Sequence, residues 1–167
     1  MEIAAQWIGL WEAGELSDEV LADRVGELVA SRDGARGFFV VSLTGDAPLL
    51  DRLPEPLVAA LRQAGEGVVD LTARNLAMST AMTLHHRRSG DQEHLAGAER
   101  VQRRSTELLR HLEPVAVKQR LETLLAAAQE REETLQAVAA DRSFLERWGY
   151  DAEQKLAIAA AIEAVAD

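Results

Sequence analysis

The sequence predicts an all-α protein: a single-domain bundle of about eight or nine helices around a buried central helix near residues 68–88. The chain is 47% hydrophobic but only 4% aromatic, so its core must be aliphatic, and the abundant Ala and Leu are good helix formers. Apolar residues recur at helical spacing along almost the whole chain. Only residues 38–43 have marked strand propensity. A length of 167 residues suits one domain over residues 1–167.

An apolar face and a capping residue predict the first two helices. Ile3, Trp7 and Trp11 are spaced for one face of a short helix that Gly14 would end. We expect this face to pack in the core, although an exposed pair of tryptophans would instead suit a partner contact. Ser17 is a good N-cap for a second helix, which is predicted to end around residues 31–34.

Residues 38–43 (FFVVSL) form a continuous apolar run, and the period of such a run does not separate a strand from a buried helix. A strand needs a partner, and the sequence has no second run of this kind. We therefore predict a buried short helix over residues 35–45, with a strand as the alternative.

Helix-breaking and capping residues divide the rest of the chain. Proline is tolerated in the first turn of a helix, glycine ends helices and aspartate caps them. One or two short helices are expected in the region that Gly149 closes. The signals predict helix starts or breaks at residues 54–56, 65–67, 89–91, Pro114 and Asp151, and a looser connection at residues 129–133.

The central helix, from about residue 68 to residue 88, is apolar around most of its circumference. This pattern is typical of a helix in the middle of a bundle. Val68, Leu71, Met78 and Met82 share one face at helical spacing. The flanks and the gaps between are also apolar, so most sides of the helix are expected to be buried: Val69, Leu76 and Leu84 on the flanks, and Ala73, Ala77 and Ala81 between.

Asn75, Ser79 and Thr83 are spaced four residues apart and therefore form a polar ridge on the same helix. An unpaired buried polar group costs about 1–3 kcal/mol, so each side chain must be satisfied. We expect Ser79 and Thr83 to bond back to carbonyls one turn earlier and Asn75 to satisfy a neighbouring helix end. The alternative is that the three side chains line a small pocket.

The net charge of −10 argues against nonspecific binding of the whole molecule to nucleic acid or to an anionic membrane. The charge is unevenly spread: residues 74–120 carry a net +4, between residues 1–73 at −8 and residues 121–167 at −6. A basic middle can bind an anion or an acidic partner. Alternatively, the acidic ends can neutralise it by folding over it.

The chain has no cysteine, which excludes disulfides and thiolate chemistry and suits a reducing compartment. No stretch reaches the roughly 18 apolar residues that a membrane-spanning helix needs. The first residues lack the basic and apolar regions of a secretory signal. We therefore expect a cytoplasmic protein with no membrane association.

All four histidines lie between His85 and His111. His85 and His86 are adjacent, so on a helix they point about 100° apart and do not easily share one metal ion. A site that combines one of them with His94 and either Glu93 or Glu99 is geometrically possible, but the paired i, i+4 histidines of a helical zinc site are absent. We predict no metal site and no cofactor.

Arginines concentrate in the same segment. Arg100, Arg103 and Arg104 share one helix face and would repel one another unless acidic groups meet them. Internal ion pairs are one interpretation, and a surface that contacts a partner or an anion is the other. The residues predicted for that surface are His85, His86, Arg87, Arg88, Arg100, Arg103, Arg104 and Arg110.

No catalytic motif stands out in the sequence, and lysine occurs only at Lys118 and Lys155. We therefore predict no catalytic residues and a non-enzymatic cytosolic interaction or adaptor protein. Its basic helix surface would contact an acidic protein partner or another copy of itself, as in a homodimer. One alternative is a protein or enzyme that binds a small anionic molecule in an interhelical pocket. Weak RNA binding is the other, and it is disfavoured because the basic segment has no aromatic residue.

Overall fold

Nine α-helices form the regular structure of residues 1–132 and 135–166, the part of the chain that the computed structural model describes. That part contains no strand, so the prediction of an all-α bundle is confirmed. The end of the connection predicted at residues 129–133 lies outside the described residues. The helices are α1 (Glu2–Glu12), α2 (Asp18–Val29), α3 (Arg32–Thr44), α4 (Glu55–Ala64), α5 (Glu66–Ser89), α6 (Gln92–His111), α7 (Pro114–Ala128), α8 (Gln136–Arg147) and α9 (Ala152–Val165).

Residues 38–43 lie within α3, so the helix prediction is confirmed and the strand alternative is wrong. The helix begins at Arg32, three residues earlier than predicted, because Ser31 caps it. The Ser31 Oγ accepts a hydrogen bond from the amide of Gly34 at 3.0 Å. The segment predicted to end α2 therefore starts α3 instead.

The predicted N-caps Ser17, Asp91 and Asp151 are confirmed. Each side chain accepts a hydrogen bond from an amide in the first turn of its helix. Asp151 also forms a complete capping box, because the Gln154 side chain bonds back to the amide of Asp151. Local signals thus set the starts of α2, α6 and α9.

One hydrophobic cluster draws buried side chains from all nine helices, as expected of a single domain. Helix α5 contacts α3, α4, α6, α7 and α9, and its main neighbours are α6 and α9. Its predicted central position is therefore confirmed. None of the described helices has the length and apolarity that a bilayer crossing requires.

Helix α5 is buried around most of its circumference, as predicted, but one part of it is open. Ala73, Ala77 and Ala81 are fully buried, because small side chains let neighbouring helices approach closely. Met78 is only partly buried and Met82 is 37% exposed. Burial around most of the helix is therefore confirmed for Val68 and the alanines, but not for Met82, because the part of this face around Met78 and Met82 lies on the open side of the helix.

Candidate interaction groove

All three side chains of the polar ridge of α5 donate hydrogen bonds within their own helix. The Ser79 Oγ donates to the carbonyl of Leu76 at 3.1 Å, and the Thr83 Oγ1 donates to the carbonyl of Ser79 at 2.8 Å, as predicted. The Asn75 Nδ2 donates to the carbonyl of Leu71 at 2.8 Å and not to a neighbouring helix end. The hydroxyl groups of Ser79 and Thr83 therefore need no ligand to accept their hydrogen bonds, and Asn75 donates one of its two N–H groups within the helix.

Arg104 is 3% exposed and is bonded inside the fold. Its Nη1 donates to the carbonyls of Ser42, Leu43 and Gly45 at the C-terminal end of α3, at 3.1, 3.0 and 2.7 Å. Its Nε and Nη2 hold the carboxylate of Asp51 at 3.0 and 2.9 Å. These hydrogen bonds hold the pKa of Asp51 below its usual value. The expectation that Arg104 contacts a partner is therefore corrected, because its guanidinium compensates the negative end of α3.

The other arginines of α6 have separate environments. The Arg100 Nη1 lies 3.2 Å from the Asp46 Oδ1. Arg110 donates to two carbonyls at the C-terminal end of α9, at 3.1 and 2.8 Å. Arg103 is exposed and makes no hydrogen bond or ion pair with any described residue. The arginines that were predicted to act as one surface are thus largely engaged elsewhere in the fold.

Arg88, near the end of α5, reaches the start of α9. Its Nη1 lies 2.7 Å from the Asp151 Oδ2, and its Nη2 lies 2.8 Å from the Glu153 Oε2. These hydrogen bonds raise the pKa of Arg88 and lower that of Asp151. Arg87 is more exposed and lies 3.9 Å from Glu99. The acidic region of residues 121–167 therefore does pack against part of the basic region of residues 74–120, as one interpretation of the sequence predicted.

The histidines near the turn between α5 and α6 form a row of rings. The ring centroids of His85 and His86 are 5.3 Å apart, and those of His86 and His94 are 5.4 Å apart. The His94 Nδ1 lies 2.6 Å from the Asp91 Oδ2, and hydrogen bonds from the His94 backbone and ring lower the pKa of Asp91. Within residues 1–132 and 135–166, no three His, Cys, Asp or Glu side chains are grouped to hold a metal ion.

A groove runs along the open side of α5, over its methionine face. It consists of two cavities, of about 500 Å³ and about 470 Å³, which share Asn75 and Met78. The floor spans residues 71–86 of α5 and is about 22 Å long, because a helix rises about 1.5 Å per residue. We call this surface the α5 groove, with floor residues Leu71, Asn75, Met78, Ser79, Met82 and His86.

One end of the α5 groove, here called the arginine end, lies between α3, α5 and α8. Phe39 and Val40 line it from α3, and Phe144 and Trp148 line it from the C-terminal part of α8 and its cap. Trp148 is 58% exposed and Val40 is 50% exposed, so large apolar side chains flank the opening. Three arginines also line this end: Arg36, Arg74 and Arg147.

A charge network holds Arg74 in place. The Arg74 Nε lies 3.3 Å from the Asp70 Oδ2, and its guanidinium lies 5.3 Å from the centroid of the Phe144 ring. Arg120 donates to Asp70 at 2.9 Å and to both oxygens of buried Asp141 at 2.7 and 2.9 Å. Two arginines here face two aspartates, so the charge of Arg74 is already balanced.

Arg36 and Arg147 differ from Arg74, because neither makes a hydrogen bond or ion pair with another residue in the described part of the chain. Their charges are therefore available to a ligand at the arginine end. Sequence reasoning missed both residues, since they lie on α3 and α8, far from the basic segment. The one local signal was the position of Arg147 beside Trp148 and Gly149, where a helix ends.

The other end of the α5 groove, the histidine end, lies between α5, α6 and the last residue of α3, Thr44. His86 lines it from α5, and Glu93 and His94 line it from the first turn of α6. Further along α6, Gly97 and Ala98 form a low wall. Gly97 has no side chain and Ala98 has only a methyl group, so this wall leaves room for a side chain of a ligand.

The structure brings together only part of the predicted site. Asn75, Ser79 and His86 line the α5 groove, whereas Thr83 is buried and lines neither cavity. The predicted arginines of α5 and α6 also line neither cavity. The two surfaces predicted from the sequence therefore do not coincide, and the cations of the groove come from other helices.

Comparison with known proteins assigns a family. No curated protein and no solved structure matches the chain. A family model described as "uncharacterised conserved protein UCP020893" matches residues 1–165, which include every residue of the α5 groove. The chain therefore belongs to the family of uncharacterised conserved protein UCP020893.

Proposed function

We propose that the protein is a non-enzymatic interaction protein that binds an acidic segment of a partner protein in the α5 groove. The observation that carries this proposal is the arginine end, where the available charges of Arg36 and Arg147 lie beside exposed Trp148 and Val40. The α5 groove replaces the α6 surface as the contact site, because most arginines of α6 are bonded within the fold.

Exposed apolar side chains next to arginines are typical of protein contacts. Trp and Arg are among the residues most enriched at the energetic centres of interfaces, and a polar-rimmed apolar patch marks an interaction site. Trp148 and Val40 at the opening and Met82 on the floor are all more than one third exposed. A partner that covers these side chains removes their apolar surface from water, which stabilises the complex.

The net charge of −10 favours the arginine end as the place where an acidic segment binds. The net negative charge of the whole protein repels such a segment, whereas Arg36 and Arg147 attract it. Complementary charge of this kind guides the approach of a partner and selects its orientation. Binding is therefore expected to weaken as the salt concentration rises.

The length of the α5 groove favours a protein segment over a metabolite. The floor runs for about 22 Å along α5, and the walls change from α3 and α8 at one end to α6 at the other. A single metabolite would fill one cavity. A segment of a protein would contact both cavities at once.

Site-specific cross-linking tests the proposal. A photo-reactive residue replaces Val40 in the full chain, and the protein that it captures in cells is identified and purified. The affinity of that protein is then measured for the wild type, for Arg36→Glu/Arg147→Glu, and for Arg52→Glu/Arg131→Glu. The last variant makes the same charge change at exposed positions that do not line the groove.

We expect Arg36→Glu/Arg147→Glu to weaken the affinity at least about tenfold, which corresponds to about 1.4 kcal/mol. The control variant should change it less than about twofold. Reversing acidic residues of the partner to lysine should restore binding to the double glutamate variant. Unchanged affinity of that variant, or a dependence on Arg103→Glu instead, would refute the groove as the contact site.

A small anionic molecule with an apolar part is the second candidate ligand. A cavity of about 500 Å³ at the arginine end falls in the usual range for small-molecule sites. A thermal-shift screen with fatty acids, nucleotides and phosphorylated metabolites distinguishes the two candidates. Stabilisation that Arg147→Glu abolishes would favour the small molecule over the protein segment.

Self-association and RNA binding, both raised by the sequence, remain testable within this proposal. Residues 1–73 carry a net −8, so a second copy could supply the acidic segment. Sedimentation of the wild type and of Arg36→Glu/Arg147→Glu would show a dimer that depends on the groove. Oligonucleotide binding that collapses with salt would instead support RNA as the ligand.

Cytoplasmic location is part of the proposal, supported by a sequence without cysteine.

A further inference from the structure

We propose that the segment bound in the α5 groove is an amphipathic α-helix of about 15 residues, which lies with an acidic C-terminal end at the arginine end. This inference rests on the proposed function. It adds the conformation of the bound segment, its direction and the spacing of its anchor residues.

Backbone chemistry favours a helix over an extended peptide. An extended peptide gains affinity from main-chain hydrogen bonds to the exposed edge of a sheet, and the described residues contain no strand. The floor belongs to α5, a continuous helix of 24 residues, whose backbone groups are bonded within it. A helix on this floor satisfies its own backbone groups internally, whereas an extended segment would depend on the few polar side chains of the groove.

The floor has the spacing of a surface that packs against another helix. Leu71, Asn75, Met78 and Met82 follow one another at intervals of four, three and four residues. Helices that pack lengthwise use the same alternation. Because Met82 is 37% exposed and Leu71 and Met78 are only partly buried, this face has room for a second helix. Its anchor residues are expected at i, i+4, i+7 and i+11.

The two cavities determine which anchor residues fit. At the arginine end, the space between Phe39, Phe144 and Trp148 suits an aromatic side chain, which can pack edge to face. At the histidine end, the low wall of Gly97 and Ala98 suits a side chain of the size of leucine. The aromatic anchor is therefore expected in the C-terminal half of the bound helix.

The charges determine the direction of the bound helix. Arg36 and Arg147 lie at one end, whereas Glu93 lies at the other and Arg88 nearby is already paired with acidic groups. A helix carries partial negative charge at its C-terminus and partial positive charge at its N-terminus. Its C-terminus therefore favours the arginine end. Acidic residues near that terminus destabilise the free helix, so the segment is expected to gain helicity on binding.

A display library of random 15-residue peptides tests conformation and direction together. The library is selected on the immobilised full chain, and peptides that also bind Arg36→Glu/Arg147→Glu are removed. Arg52→Glu/Arg131→Glu is the matched control and should retain the selected peptides. We expect apolar anchors at the stated spacing and acidic residues in the last third of the enriched peptides.

Each enriched peptide is then compared with two altered forms, one with a central proline and one with its acidic residues moved to the first third. Both changes are expected to weaken binding at least about tenfold, because proline breaks a helix and the exchange reverses the charge match. Peptides that require Arg36 and Arg147 but tolerate both changes would overturn the helix inference and leave the proposed function intact. Enrichment that does not depend on these arginines would overturn both.

Discussion

Arg103 and Arg104 are adjacent in the sequence but occupy opposite environments. Arg103 is exposed, whereas Arg104 is 3% exposed and bonded to the end of α3 and to Asp51. Adjacent residues on a helix point about 100° apart, so one faces solvent while the next enters the interior. The position of α3 decides which of the two is buried, and that position is not visible in the local sequence.

Arg104→Ala is expected to lower the free energy of unfolding by about 3 kcal/mol or more. Several buried carbonyls at the end of α3 lose their donor, and each unsatisfied group costs about 1–3 kcal/mol. Arg103→Ala is the matched control and is expected to change stability by less than about 0.5 kcal/mol. Urea unfolding followed by circular dichroism measures both variants. Similar effects of the two substitutions would contradict the structural role of Arg104.

At the scale of single helices, local signals predicted where elements start but not which face is buried. Apolar spacing identified α5, and the cap Asp91 identified α6. Helix α5 was expected to be buried on most sides, yet the face around Met78 and Met82 stays open while the alanine face packs in the interior. Tight packing selects the face with small side chains, because neighbouring helices approach it most closely. Hydrophobicity alone does not contain that information.

The short connection between α2 and α3 makes Gly34 sensitive to substitution. A Cβ at Gly34 would collide with the backbone carbonyl of Leu28, whereas a Cβ at Gly67, in the first turn of α5, would meet nothing within 4 Å. Gly34→Ala is therefore expected to lower the free energy of unfolding by about 1–3 kcal/mol. Gly67→Ala should raise it by about 0.4–1 kcal/mol, because alanine reduces the entropy of the unfolded chain. Chemical unfolding of both variants measures whether the two changes in the free energy of unfolding have opposite signs. An unchanged free energy of unfolding for Gly34→Ala would show that the α2–α3 connection rearranges at little cost.

At the scale of the whole molecule, the uneven charge distribution acts mainly through contacts between distant segments. Arg88 pairs with Asp151 and Glu153, and Arg104 pairs with Asp51. The net charges of residues 1–73, 74–120 and 121–167 indicated that acidic regions could pair with the basic one. They did not indicate that Arg36 and Arg147, from the acidic regions, would supply the available cations of the groove.

These pairs make stability depend on pH. The pKa values of Asp51 and Asp151 are lowered, mainly by hydrogen bonds from Arg104 and Arg88. A carboxylate with a lowered folded-state pKa contributes stability above its unfolded value of about 3.9 and loses it as the pH falls through the lowered value. Asp51→Asn/Asp151→Asn is therefore expected to lose less stability than the wild type between about pH 6 and about pH 3.

Asparagine at position 151 keeps the helix cap, so the double variant isolates the titration. Glu15→Gln/Asp23→Asn removes two exposed carboxylates and serves as the control, which should follow the wild type. Urea unfolding at both pH values measures the loss. Identical pH dependence of all three proteins would show that the two carboxylates do not couple to folding.

The sequence by itself determined the helical class, the caps at Ser17, Asp91 and Asp151, and the acidic, basic, acidic order of charge, because these depend on residues within a few turns of one another. Only the tertiary structure decided which face of α5 stays open and which arginines make no ion pair with the described residues. The α5 groove joins Arg36 of α3, Met78 of α5 and Trp148 at the end of α8. Burial and ion pairing depend on which side chains from distant helices lie close to a residue, so no local sequence pattern predicts this site.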